Sequence, residues 1–304
     1  MFSATIPSWV RGVAKKYISG EHKFFDLVGD LKNKTAQNVQ HLAINCPYYN
    51  RTATLCDILL CYKGLQGKAI VFTSTKADAN QIITSEKMKH EVEVLHGDIA
   101  QNQREVSLKR FREDKFKVLV ATDVAARGLD IPNVDLVVQL EPPKEVESYI
   151  HRSGRTARAG KSGTCITFYT QKNQSLINLI ENKAGIKFKR IGAPQPEDII
   201  KASGKGVIEG FEQVNEEVLP HFLDAAQELI EKKGAIKAVQ LALAYISGNT
   251  DKIHKRSILT AEEGYVTFSI TTDIEFHGVS YVWNILRRIL PERIANTIRT
   301  MRVF

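Results

Sequence analysis

Two arginines, Arg155 and Arg158, stand three positions apart in the run His-Arg-Ser-Gly-Arg-Thr-Ala-Arg at 151–158. Side chains at that spacing leave a helical turn from one face, so the run predicts two guanidinium groups that reach the same phosphate. A guanidinium is permanently charged, planar and built to donate to phosphate oxygens. Brought in from a neighbouring lobe, such an arginine stabilises the charge of phosphoryl transfer and is worth roughly 10³ to 10⁵ in rate. A single arginine is usually just solvated; here the company it keeps argues otherwise. The run Val-Ala-Thr-Asp-Val-Ala-Ala-Arg-Gly-Leu-Asp occupies 120–130, with an apolar strand-like stretch at 134–140 between the two. In it the Thr122 hydroxyl can donate to a phosphate, and an ionised Asp130 can accept from two neighbouring hydroxyls. Taken alone, Asp130 would be a turn cap before Pro132 and His151 a polar cap at a helix end.

The elements that must hold these residues alternate along the chain. Helical periodicity covers residues 7–18, 50–62, 76–90, 101–111, 145–151 and 174–184, while strand-like runs lie at 39–45, 69–72, 92–95, 117–121, 134–140 and 163–169. Unbroken apolar runs such as Ala-Ile-Val-Phe at 69–72 suit strands buried on both faces. Strand–helix alternation with short connections predicts a parallel sheet covered by helices, with ligands gathered beyond the carboxyl ends of its strands. Thr73, Thr75 and Lys76 follow one such strand, His96, Gly97 and Asp98 a second, and Thr122 and Asp123 a third. All three loops are expected on one edge, where hydroxyls, an open glycine backbone and a lysine contact the phosphates of a nucleic acid without reading its sequence.

Composition fits this picture and excludes others. A chain of 304 residues, 43% hydrophobic, can bury a larger and a smaller core. Its net charge of +8 favours a polyanionic partner. The four cysteines, Cys46, Cys56, Cys61 and Cys165, show neither a CxxC pair nor zinc spacing. No apolar run approaches the roughly eighteen residues needed to span a bilayer, so no membrane role is expected.

In order and wording the motifs resemble the second RecA-like lobe of DEAD-box RNA helicases, where the runs at 120–130 and 151–158 correspond to motifs V and VI. Phe-Ser-Ala-Thr at 2–5 resembles the tail of motif III, Ile-Val-Phe-Thr-Ser-Thr-Lys at 70–76 motif IV, and Leu-His-Gly-Asp at 95–98 with Gln101 and Arg104 the next RNA-facing segment. The likeness covers residues 2–190. Beyond them, 185–190, 196–201 and the region from 257 onward resemble the nucleolar Gu-type (RNA helicase II) branch. The resemblance implies an α/β, parallel-sheet RecA-like helicase C-terminal lobe, followed by a helical extension and a partial α+β, RRM-like domain. The corresponding boundaries are 1–20 for the tail of a first lobe, 21–190, 191–256 and 257–304.

The same resemblance implies roles. Arg155 and Arg158 become catalytic fingers on ATP, His151 couples closure to chemistry, Gly128 and Asp130 contact the nucleotide, and Thr75, Lys76, Gly97, Asp98, Arg104, Thr122 and Asp123 contact RNA. No Gly-rich loop ending in Gly-Lys-Ser/Thr and no Asp-Glu-Ala-Asp run is present. The ATP β-phosphate and its magnesium ion therefore belong to a first lobe supplied in cis, and this chain, expected to be a piece of a longer protein, is expected to be inactive alone. Ala157 departs from the family's usual glycine. If helical it is favoured, and the helical case is the one expected; at positive φ it would cost about 1 kcal/mol or more.

After Arg190 the turn-rich Gly-Ala-Pro-Gln-Pro at 192–196 leads into helix at 196–202, then helices at 216–232 and 235–246. Their apolar stripe, with Leu219, Phe222, Leu223, Ala226, Leu229 and Ile230, either packs on the lobe or serves self-association, as in related helicases that dimerise through this extension. From 257 a strand at 264–272, a helix at 279–290 holding a core Trp283, and a strand at 297–303 are expected. Tyr265 and Phe268 are candidate base-stacking rings, and Arg287, Arg288 and Arg293 a basic face. The function expected from the family is that of an ATP-dependent RNA helicase of the nucleus and nucleolus, acting in rRNA processing and ribosome production. A non-catalytic RNA-binding or dimerisation module, or a DNA helicase of the same superfamily, is the alternative.

Overall fold

The computed structural model describes residues 8–18, 25, 35, 38–63, 67–84, 92–123, 134–157, 162–250, 256–258, 264–271, 278–299 and 301. The chain divides into two compact units, Met1–Val266 and Thr267–Phe304.

In the first unit seven strands form one sheet: β1 Val39–Asn45, β2 Ala69–Thr73, β3 Val92–Leu95, β4 Val118–Thr122, β5 Leu136–Gln139, β6 Gly163–Tyr169 and β7 Lys189–Ile191. Their order is β3-β4-β2-β5-β6-β1-β7, and every pairing is parallel. The helices are α1 Ser8–Tyr17, α2 Arg51–Ile58, α3 Lys76–Ile83, α4 Gln101–Arg112, α5 Val146–Ser153 and α6 Gln174–Ala184. Alternate residues of each strand enter different cores. Ile70 and Phe72 pack with Leu108, Phe111, Tyr149 and Ile177, whereas Ala69 and Val71 pack with Leu55, Ile58, Ala79 and Ile82. Thus α4, α5 and α6 cover one face, and α2 and α3 the other. The fully buried strands β2, β4 and β5 are the unbroken apolar runs seen in the sequence.

Strand β7 has no such run. Lys189 and Arg190 are exposed at the sheet edge, where charge discourages pairing with another chain, and only its register against Leu42–Ile44 of β1 marks it as a strand.

Beyond β7 come α7 Pro196–Gly210, a 3-10 stretch Glu216–Phe222, α8 Leu223–Lys233 and α9 Ala235–Ile246. The single helix expected over 216–232 is therefore two pieces. Pro220 supplies no amide to an α-helical ladder, and the tighter turns run up to it. Helix α7 opens with Pro196 in its first turn and a capping box between Gln195 and Asp198. Leu219, Phe222, Leu223 and Ile230 lie on the surface of this unit, Phe222 with 62% of its area exposed, so the apolar stripe does not pack on the lobe.

The second unit holds α10 Val279–Ile289 and α11 Glu292–Ala295. Residues 265–271 and 297–299 carry no strand pairing, contrary to the sequence-based expectation; the rest of the two predicted strands lies outside the described residues. Thr297 and Ile298 instead donate their amides to the carbonyls of Ile294 and Ala295, so the chain turns after α11. Trp283 is half-buried and not a core residue, with the Arg287 guanidinium 5.6 Å over its ring. No described helix is long and apolar enough to cross a membrane.

Candidate functional site

Because β3, β4 and β2 are neighbours and parallel, the three loops leaving their carboxyl ends share one edge. Thr75 caps α3: its hydroxyl accepts from the Asp78 amide at 3.0 Å and donates to the Asp78 carboxylate at 2.7 Å. Lys76 pairs with Asp98, so the β2 and β3 loops are tied across the end of β4. The hydrogen bond from Lys76 holds the Asp98 carboxyl below its usual range. Arg104 reaches back from α4 and donates to the carbonyls of Ile99 at 2.8 Å and Gly97 at 3.0 Å, which fixes the turn. Above Gly97 the space is open; a Cβ there would meet only the Lys76 side chain, at 3.9 Å. Thr122 ends β4 and is 7% exposed. Edge and residues come together as the sequence predicts, with Thr75 and Arg104 also holding the backbone that presents them.

Asp123 is a different case. Both its oxygens accept from Arg152, at 2.7 Å from Nε and 2.6 Å from Nη2. This bidentate, charge-assisted pair makes Asp123 a brace between the β4 loop and α5. Arg152 itself is buried, lies 5.2 Å from the Phe72 ring and donates to Gln139 at 3.2 Å. Sequence reasoning missed both Arg152 and Gln139. The available signals were an arginine inside the motif run and a lone amide within the apolar stretch Leu-Val-Val-Gln-Leu at 136–140.

Helix α5 ends at Ser153, so the helical-face argument for Arg155 and Arg158 does not hold. Residues 154 and 155 turn: the Arg155 amide donates to the Arg152 carbonyl at 3.1 Å and the Thr156 amide to Ser153 at 3.2 Å. The Arg155 carbonyl accepts from the Val134 amide at 3.1 Å, and the Thr156 hydroxyl donates to the Asp135 carbonyl at 3.1 Å. Val134 precedes β5, so Arg155 sits near the amino end of that strand, at the far end of α5 from the edge that carries the three loops. His151 is exposed on the last turn of α5. Gly128, Asp130, Arg158 and the segment 2–5 lie outside the described residues. The flanks of 124–133, which carries Gly128 and Asp130, are nonetheless held: Asp123 by Arg152 on one side, Val134 by Arg155 on the other.

Ala157 has φ 57°, left-handed and not helical, which overturns the helical expectation. The chain must reverse here to bring Thr156 beside Val134 and then enter β6. Gly163 allows the close pass, since a Cβ there would collide with the Thr156 hydroxyl and the Ala157 amide nitrogen. Left-handed backbone costs a non-glycine residue about 1–2 kcal/mol, while glycine gives back about 0.4–1 kcal/mol through the unfolded chain. Ala157→Gly is therefore expected to stabilise the lobe by about 0.5–1 kcal/mol, seen as a Tm rise of a few degrees in a thermal melt; a fall in Tm would contradict this account.

A parallel sheet with two covered faces, motif-bearing loops on one edge and an arginine run across α5 is the architecture of a helicase C-terminal lobe. The model of the helicase conserved C-terminal domain matches residues 50–160, that of the DDX21/DDX50 dimerisation domain 195–246, and that of the GUCT (NUC152) domain 248–304. The chain is 48% identical to nucleolar RNA helicase 2 of Mus musculus over 301 residues, 99% of this chain and 35% of the relative. It is 46% identical to the ATP-dependent RNA helicase DDX50 of Homo sapiens, covering 99% of this chain and 41% of that one. It thus spans well under half the length of these relatives. Among solved structures, S. cerevisiae Dbp5 bound to RNA and ADP–BeF3 matches with a TM-score of 0.54 and 33% identity over 62% of this chain and 50% of the other. By these domains and relatives the chain resembles the C-terminal part of DEAD-box RNA helicases, in the branch of nucleolar RNA helicase 2 and DDX50.

Proposed function

We propose that this chain is the ATP- and RNA-responsive C-terminal part of a DEAD-box RNA helicase. In this reading Arg155 and Arg158 reach the ATP phosphates, Gly128 and Asp130 contact the nucleotide and its ribose, and His151 joins this site to the first lobe. Thr75, Lys76, Gly97, Asp98, Arg104 and Thr122 line the RNA edge, with Asp123 as its brace. The magnesium ion and the β-phosphate cradle belong to the first lobe, acting in cis. Bound ATP supplies the phosphoryl group whose developing charge the arginines stabilise; this chain supplies donors and positioning. The observation that carries the reading is the pair of ties between the two motif runs, which holds both flanks of 124–133 to the 151–156 segment. The ties are consistent with a nucleotide at this place, since one of them sets Val134, the residue that follows 124–133, against Arg155.

The test joins the chain to a first lobe from a relative and measures ATP hydrolysis with no nucleic acid, with single-stranded RNA and with DNA of equal length. RNA is expected to stimulate turnover at least tenfold over DNA, because contact with the 2′-hydroxyl separates the two. Equal stimulation by DNA would favour a DNA helicase of the same superfamily, and no stimulation a binding or assembly module.

Self-association belongs to the same proposal. The 195–246 match and the exposed Phe222 (62%), Leu223 (55%) and Ile236 (78%) support a homodimer through α8 and α9. Phe222→Asp with Ile236→Asp is expected to halve the mass read by light scattering at micromolar concentration while circular dichroism stays unchanged; a monomeric parent would remove the dimer from the proposal. A nucleolar location is supported by the name of the nucleolar RNA helicase 2 relatives, and a role in rRNA processing is proposed with it.

A further inference from the structure

A string of buried polar groups crosses the core between β1 and the RNA-facing edge. Gln139 ends β5 with no exposed surface, so both halves of its amide require partners. Its Oε1 accepts from Arg152 Nη1 at 3.2 Å, and its Nε2 donates to Cys165 Sγ at 3.4 Å. The Tyr149 hydroxyl lies 3.9 Å from the same sulfur and 2.6 Å from His41 Nδ1, and His41 Nε2 lies 3.2 Å from the Thr35 hydroxyl. Burial pushes the Cys165 thiol up to about 11 and the His41 imidazole down to about 4, so both are neutral near pH 7. Among the described residues, the side chains that accept from Arg152 are Asp123 and Gln139.

We propose that Gln139 is a positioning residue for RNA binding: it fixes the Arg152 guanidinium, and through Arg152 the Asp123 carboxylate and the β4 loop that presents Thr122. This rests on the reading of that edge as the RNA-facing one. The amide is the group the place demands. It offers an acceptor to a cation on one side and a donor to a sulfur on the other. A thioether of similar length would leave Nη1 of a buried arginine without its partner. A carboxylate would draw the guanidinium away from Asp123 and lose the donor to Cys165.

The experiment uses the full 304-residue chain with Gln139→Met and Gln139→Glu. Binding of a fluorescein-labelled uridine oligonucleotide is followed by anisotropy at low salt, and the Arg152 Nε–H resonance, assigned by its loss in Arg152→Lys, by nitrogen-15 NMR. Gln139→Met is expected to weaken RNA binding at least fivefold and to shift the Arg152 resonance. A loss of folded protein would instead raise the apparent dissociation constant only by the inverse of the folded fraction, which circular dichroism measures, and leave the Arg152 resonance of the folded molecules in place. Should the methionine variant fail to fold, the glutamate variant is judged by the same two readouts. An unchanged dissociation constant beside a wild type that binds RNA overturns the role of Gln139 alone. A wild type without RNA affinity overturns the reading of the edge, and this inference with it.

Discussion

Replacing Arg155 with alanine is expected to lower RNA-stimulated ATP hydrolysis at least a hundredfold when the chain is joined to a first lobe, a loss of about 2.7 kcal/mol of transition-state stabilisation. That lies within the range for arginines that meet a transferring phosphoryl group. The backbone around Arg155 is the reason to expect so large an effect from one side chain. Its root is pinned at both backbone atoms, the amide to Arg152 and the carbonyl to Val134, so the guanidinium leaves a fixed point beside Val134. Because Arg155 is only partly buried, the substitution is expected to leave Tm within about a degree or two, in line with the ±0.5 kcal/mol typical of surface changes, and RNA affinity within about threefold. Arg155→Lys keeps the charge but not the planar fork, and is expected to recover only a minor part of the rate. Alanine at Arg158 is expected to act in the same direction. Turnover within tenfold of the parent after Arg155→Ala, measured at saturating ATP and RNA, would remove the finger assignment.

Much of this architecture was legible in the sequence because its signals are local. Buried parallel strands write themselves as runs such as Ala69 to Phe72, and loops with Gly97 or Thr122 follow them directly. What escaped depends on distant partners. Strand β7 is charged and three residues long, and exists through its register with β1. Ala157 reads as helix former by propensity, but tertiary pairing of Thr156 with Val134 sets its backbone. The spacing of Arg155 and Arg158 suggested one helical face, yet the helix stops at Ser153, and the turn that follows answers to the amino end of β5. Asp123 was legible as a polar residue on the edge beyond the strand ends; that both oxygens are engaged by Arg152, 29 positions later, was not.

That pairing has an energetic asymmetry. Asp123→Ala is expected to cost the lobe about 3 kcal/mol, near the lower end of the 3–5 kcal/mol for breaking a buried ion pair, and to lower Tm by about 6–12 °C. The reason is which partner is left behind. The Arg152 side chain has 6% of its surface accessible, against 34% for Asp123. Without the carboxylate, a buried guanidinium retains Gln139 at 3.2 Å and the Phe72 ring at 5.2 Å, neither of which carries an opposing charge. The reverse deletion, Arg152→Met, fills the cavity with a side chain of comparable length and leaves a carboxylate that water can reach, so its cost is expected to be about 1–2 kcal/mol. In the double variant no charge is orphaned, and stability should return to the level of Arg152→Met or better. Equal losses for the two single variants, with the double variant at their sum, would mean that packing and not charge compensation holds α5 to the β4 loop. The expected order instead makes Arg152 the element that cannot be left alone: it ties the β4 loop to α5 because burial obliges it to keep Asp123.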